Sequence, residues 1–207
     1  MQPYTFWGKK DTSINFCEKP YEESKYIAEF YNTISAFGYI LTGIFFYFTK
    51  IKKIGITLLF LGLGTAVLHG TQRYYGQIMD ELSMLVFSFF IIEKLRLILY
   101  KPTNILILYS ISALYIASYN IFSVFFIVFV TCQIYICYLA KKIIRISENI
   151  TPIKILLINS YIITFLISFV FWIIDQTFCN VYNIQLHALW HVGTSISIFL
   201  GLLFLVI

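Results

Sequence analysis

Gln185-Leu-His-Ala-Leu-Trp-His-Val-Gly-Thr-Ser-Ile-Ser-Ile-Phe-Leu-Gly-Leu-Leu-Phe-Leu-Val-Ile207 contains no Asp, Glu, Lys or Arg. It is long enough to cross a bilayer as a helix, which needs about 20 mostly apolar residues. Its first turns carry His187 and His191, four residues apart and therefore on one helix face. Ionisable side chains in hydrocarbon are unfavourable and mark function. The third histidine of the chain, His69, lies near the end of another apolar stretch. A membrane helix and a metal-binding helix are thus written in the same residues.

The rest of the chain repeats the first half of that reading. Of its 207 residues, 59% are hydrophobic and only 12% are charged, with a mean hydropathy of +0.82. That excludes an ordinary soluble domain and predicts an all-α polytopic membrane protein. Seven spans are predicted: Ile27 to Phe48, Ile54 to Gln72, Ile78 to Tyr100, Ile105 to Ser118, Ile121 to Leu139, Ile153 to Ile174 and Gln185 to Ile207. The fourth is short, and only Ser118-Tyr119-Asn120 separates it from the fifth, so six spans is the rival count. Merging the two would leave roughly 35 apolar residues in one crossing, which is too many. Residues 1–26 form a polar N-terminal segment without the apolar core of a signal peptide, and residues 27–207 form the seven-span domain. The chain is expected to end inside its last span, with no tail.

The net charge of +5 raises nucleic-acid binding, but the basic residues cluster in alternate loops. Lys50, Lys52 and Lys53 follow span one. Lys101 follows span three, and Lys141, Lys142, Arg145 and Lys154 lie around the loop between spans five and six. The positive-inside rule puts these loops in the cytosol, the N-terminus in the lumen or exterior and the C-terminus in the cytosol. His69, Asp80, His187, His191 and Glu29 then converge on one depth in the outer leaflet. Glu93, Lys94 and Arg96 read as a cluster snorkelling to the cytosolic face, and Trp7, Trp172 and Trp190 as interface markers.

Three imidazoles in this arrangement suit a catalytic zinc with one position left for water. The alternative is interfacial histidines bonded to backbone or headgroups. Asp80-Glu81 opens span three, close behind His69 in space because the connection is short. One carboxylate there can move protons to and from a zinc-activated water, and the other is a helix N-terminal acid favoured by the macrodipole. Asp80 is the expected acid/base. Thr65, four residues before His69, either holds a ligand or carbonyl oxygen or bonds back to its own helix. Asn15, Phe16, Glu18 and Glu29 offer oxygen ligands of the kind calcium takes, or else a solvated loop with one buried acid. Cys17 and Cys179 both fall on the outer side, where a disulfide can form. Cys132 and Cys137 are mid-span and read as small apolar fillers.

Trp7-Gly8, Ser13-Ile-Asn-Phe-Cys-Glu18, Tyr26-Ile-Ala-Glu-Phe-Tyr-Asn-Thr-Ile-Ser35, His69, Asp80-Glu-Leu-Ser-Met84 and His187-Ala-Leu-Trp-His191 together resemble the alkaline ceramidases. These are seven-span zinc hydrolases related to adiponectin-receptor-like and GPI-remodelling proteins. The resemblance implies cleavage of the amide of a ceramide-type lipid to a sphingoid base and a fatty acid. It implies zinc on His69, His187 and His191, Asp80 as acid/base, and calcium held by the N-terminal segment, with Glu18 and Glu29 matching. Thr65 stands where the family has serine. Asn15 stands for its aspartate, Phe16 for its tryptophan and Pro20 for its asparagine. Two other readings fit the same residues: a zinc hydrolase of a lipid ester, and a lipid receptor that keeps zinc for structure. The expected setting is an endoplasmic reticulum or Golgi membrane. No nucleic-acid partner is expected, and no protein partner is legible.

Overall fold

The structure is a computed structural model that describes residues 5–99, 101, 106, 107, 110, 112, 113, 115, 121–147, 150–179 and 185–207. Among these residues the regular structure is helical, with no strand. The helices are α1 (Phe30–Ser35), α2 (Phe37–Tyr47), α3 (Lys52–Thr71), α4 (Tyr74–Ile98), α5 (Phe122–Ile146), α6 (Pro152–Thr177) and α7 (Leu186–Val206). Four of them, α3, α5, α6 and α7, are long and apolar enough to cross a membrane. Helix α4 is as long as α5, but it carries Asp80, Glu81, Glu93, Lys94 and Arg96. The predicted fourth span, Ile105 to Ser118, lies largely outside the described residues.

Local chemistry sets the ends of the elements. Pro152 starts α6, where its fixed φ suits a first helical position and its missing N–H leaves no bond unmade. Gln72 ends α3 in the left-handed region, at φ 52°, with its N–H on the Leu68 carbonyl at 2.7 Å. Only Gln72 and Arg73 separate α3 from α4, so α4 begins at Tyr74, earlier than the predicted Ile78. Asp80 therefore lies in the second turn of α4, not at its opening. The predicted first span is also divided. Residues 27–29 are not helical, and Ala28 and Glu29 donate their backbone N–H groups to the carbonyls of Gly70 and His69, both at 2.9 Å. A break at Ala36 then separates α1 from α2.

Two glycines let α3 and α4 approach. A Cβ at Gly64 would lie 2.7 Å from the Met79 carbonyl carbon and 2.8 Å from the Asp80 nitrogen. One at Gly76 would lie 2.7 Å from the Leu68 Cα. Small residues at such a crossing allow backbone-to-backbone contact, and here that contact sets Asp80 against Thr65. Helices α2 and α4 pack on either side of α3, α5 packs on α4, and α6 packs closely on α7, while α5 touches α6 only sparsely. Ser197 on α7 donates to the Tyr161 carbonyl on α6 at 2.8 Å.

The core is richest toward the end of the bundle away from the histidines, around Phe46, Leu58, Leu95, Ile136, Leu139 and Ile158. A second cluster joins Leu85, Phe125, Phe129 and Trp190. Trp190 is buried there and is not an interface marker, because its ring packs on Phe165 and Phe169 of α6. The outer surface is apolar as well. Leu41, Phe48, Phe60, Ile127 and Ile134 are all exposed, as on a face that meets lipid rather than water.

Candidate metal centre

Helices α3 and α7 bring the three histidines together. One ring nitrogen from each of His69, His187 and His191 lies within 4.8 Å of the others, and all three residues are buried. Ring centroids are 4.5 Å apart for His187 and His191, as the four-residue spacing requires. His69 is 5.0 Å from His187 and 4.9 Å from His191.

Two of the imidazoles are oriented from behind. His69 Nδ1 meets Glu29 Oε2 at 2.5 Å. Glu29 is itself held by Asn32 Nδ2 at 3.1 Å and by Gln72 Nε2 at 2.6 Å. The backbone pairing of residues 28 and 29 with the end of α3 puts this carboxylate beside His69. His191 Nδ1 lies 2.8 Å from Ser35 Oγ and 3.2 Å from the Asn32 carbonyl. With Nδ1 turned to such partners, Nε2 carries the lone pair toward the cluster, the usual arrangement behind a metal-ligating histidine. His187 Nδ1 is buried and has no hydrogen-bond partner among the described residues, and coordination to a cation would satisfy such an atom. A set of three imidazoles with a carboxylate close by fits zinc with an open position.

Asp80 completes the group. Its Oδ1 is 2.5 Å from Thr65 Oγ1, which also lies 2.9 Å from the Leu61 carbonyl of its own helix. One hydroxyl proton serves one acceptor at a time, and a carboxylate is the stronger. Thr65 thus holds Asp80, while its contact with the Leu61 carbonyl is the bond to its own helix that the sequence offered as the alternative.

The N-terminal segment covers the cluster. The Phe16 ring lies 4.6 Å from that of His69 and 4.1 Å from that of His187. Cys17 and Cys179 form a disulfide. The Cys17 N–H also reaches Asp175 Oδ2 at 3.4 Å. Glu18 is buried and accepts the N–H groups of Tyr31 at 2.7 Å and Asn32 at 2.9 Å. Burial pushes its carboxyl pKa up, against the pull of those two donors. Lys10 is half-buried, and burial lowers its pKa while the charge of Glu29 opposes that. Asn15 is exposed, with its carbonyl facing Gln176 Nε2 at 3.2 Å. The oxygen-rich set around Glu18 and Glu29 also holds Asn32 Oδ1, buried and without a partner among the described residues. These are hard donors of the kind calcium takes. Asn32, Ser35, Gln72 and Asp175 were not singled out from the sequence. Asn32 and Ser35 lie three residues apart, a helical spacing that could have flagged them as a pair.

Below the histidines runs an elongated, mostly apolar cavity. Thr65, Asp80, His187 and His191 line its head, and Leu95, Ala140 and Leu205 line its foot. Along α4 the distance from Asp80 to Leu95 is about 22 Å at the helical rise. A polar pair interrupts the walls midway, where Gln133 Nε2 donates to Ser88 Oγ at 2.9 Å.

Known proteins similar to this chain are ceramidases by name. The alkaline ceramidase of Arabidopsis thaliana is 29% identical to this chain, over 93% of it and 82% of the relative. Alkaline ceramidase 3 of Mus musculus is 24% identical, over 96% of this chain and 84% of the relative. The family model described as Ceramidase matches residues 8–207. With a match of that extent, the chain belongs to the ceramidase family.

Proposed function

We propose that this chain is a zinc-dependent intramembrane hydrolase that cleaves the amide bond of ceramide to a sphingoid base and a free fatty acid. The observation that carries the reading is the meeting of three histidines and Asp80 at the head of a long apolar cavity. Family membership supports the substrate.

Zinc would be held by His69, His187 and His191. When bound, it supplies a Lewis acid that polarises the amide carbonyl and acidifies a water molecule. Asp80 takes the proton of the attacking water and returns it to the leaving nitrogen. Thr65 fixes the carboxylate for both transfers, and Glu29 and Ser35 fix the imidazoles behind it. Phe16 limits the access of bulk water from the N-terminal side. The two hydrocarbon chains of the lipid have the apolar walls to lie against.

The membrane reading belongs to the same proposal. Helices α1 and α2 make one crossing, and α4 crosses despite its charges, as the seven-span reading of the sequence requires. The N-terminus is lumenal and the C-terminus cytosolic, in an endoplasmic reticulum or Golgi membrane. Calcium would be held by Glu18 and Glu29 with oxygens from Asn15 and Phe16, weakly, because Lys10 brings a positive charge to Glu29.

The test is turnover of labelled ceramide by the purified protein, beside His187→Ala and a chelated sample, with calcium varied. Fatty acid release that disappears in both controls is the expected result. No release from a protein that still binds about one zinc per chain, as a full three-histidine site would, would sink the amidase reading. Release from a long-chain lipid ester instead would replace it with the ester hydrolase.

A further inference from the structure

Glu81 has no part in the proton transfers, yet it lines the same cavity, one residue after Asp80. It is buried, at 4% exposure. Its Oε1 accepts from Gln77 Nε2 at 2.8 Å and its Oε2 from the Tyr115 hydroxyl at 2.5 Å. Gln77 is anchored in turn. Its Oε1 accepts the Ser13 N–H at 2.8 Å, and its Nε2 lies 2.6 Å from Ser13 Oγ. The carboxylate is thus pinned from two sides by donors, and both of its oxygens act as acceptors. A carboxylate offers about four lone-pair sites, and these contacts use two. A buried acid on an apolar wall is unfavourable unless its remaining capacity is used.

The substrate chemistry supplies a partner. In a ceramide, the two carbons flanking the one that bears the amide nitrogen each carry a hydroxyl. Both hydroxyls therefore lie within a few ångströms of the atom that Asp80 must protonate, and Glu81, the next residue on α4, lines the same cavity. We propose that Glu81 accepts a hydrogen bond from a hydroxyl of the sphingoid base and so makes the site selective for amides that carry one there. The inference rests on the ceramidase reading. A merely structural Glu81 would tie α4 to Tyr115 and the N-terminal segment, and it would be indifferent to the substrate's hydroxyls.

The experiment compares three substrates: ceramide, the analogue lacking the primary hydroxyl and the analogue lacking the secondary hydroxyl. Each is given to the unaltered protein and to Glu81→Leu, Glu81→Gln and Tyr115→Phe, with zinc content as the check of folding. The unaltered protein is expected to lose about tenfold or more in kcat/KM on one analogue, the scale of a hydrogen bond to a charged group. Glu81→Leu is expected to lose its preference between ceramide and that analogue, and Glu81→Gln to keep part of it. Tyr115→Phe, which leaves the carboxylate in place, is expected to keep most of it. Equal turnover of all three lipids by the unaltered protein overturns the proposal. So does a Glu81→Leu variant that slows all three by one common factor, the mark of a structural role. If the unaltered protein cleaves none of them, the ceramidase reading falls. Equilibrium binding of sphinganine and its two deoxy analogues then decides for Glu81. A preference for a hydroxylated base that Glu81→Leu erases keeps the proposal, and its absence ends it.

Discussion

At the head of the cavity, Glu29, Ser35, Thr65 and Gln72 are buried polar side chains that each fix one atom of another. At the foot, Leu95, Ile136, Ala140 and Leu205 offer only contact. Both ends are buried and both are built from the same helices, so burial does not distinguish them. Directionality does. A hydrogen bond weakens steeply with misalignment, whereas apolar contact scales with area and tolerates rearrangement. The head is therefore intolerant of the loss of single atoms and the foot is graded. Chemistry belongs to the first and chain length to the second.

The largest effect that tests this contrast is at Asp80. Asp80→Asn keeps the shape and removes the base. It is expected to lower kcat by about 10²–10⁴-fold, the usual contribution of a general acid–base, with zinc content unchanged. A fall of less than about tenfold would remove Asp80 from proton transfer. One step further from the chemistry, Glu29→Gln keeps an oxygen near His69 Nδ1 but loses the charge that orients the ring. Zinc affinity, read by competition with a chelator, is expected to drop about 10–100-fold, as for other partners behind a metal ligand. An unchanged affinity would mean that the 2.5 Å contact of Glu29 with His69 is not what aims the imidazole.

The sequence made the head more legible than the foot, and the reason is the same directionality. His69, His187, His191 and Asp80 are residue types that a bilayer excludes unless they are used, so they stand out singly in an apolar chain. That they would meet was expected from the positions of lysines in loops, and the three histidines do lie together. Thr65 was visible through its spacing from His69, but its bond to Asp80 depends on Gly64 letting two backbones meet, a packing event with no local signature. The break at Ala36 and the extended residues before α1 were missed for a related reason. Ile27 to Phe48 reads as one mostly apolar stretch despite Glu29 and Asn32, while the backbone at its start is shaped by pairing with the distant end of α3. The foot of the cavity is lined by leucine, isoleucine and alanine, which occur all over this chain. Nothing in their pattern separates a wall from a core or from a lipid-facing surface.

The smallest expected effect concerns that foot, and its form matters more than its size. Ala140 is buried, at 1% exposure, and lines the cavity together with Leu95 and Leu205. Ala140→Leu would occupy space that the end of a long hydrocarbon chain would fill, and Leu95→Ala would open it. Each methylene moved out of an apolar environment is worth about 0.8 kcal/mol, or about fourfold in kcat/KM. The two variants are therefore expected to shift the preferred chain length in opposite directions, by one or two carbons, while ceramides too short to reach Leu95 are cleaved as before. Competition between ceramides of graded chain length reads this directly. Both variants also disturb packing, and overfilling a core costs about 1–3 kcal/mol of stability. A stability defect lowers turnover of every chain length together, so the crossing of the two profiles isolates recognition from damage. If the profiles move in parallel, the foot of the cavity is core and not wall, and the contrast with the head loses its second half.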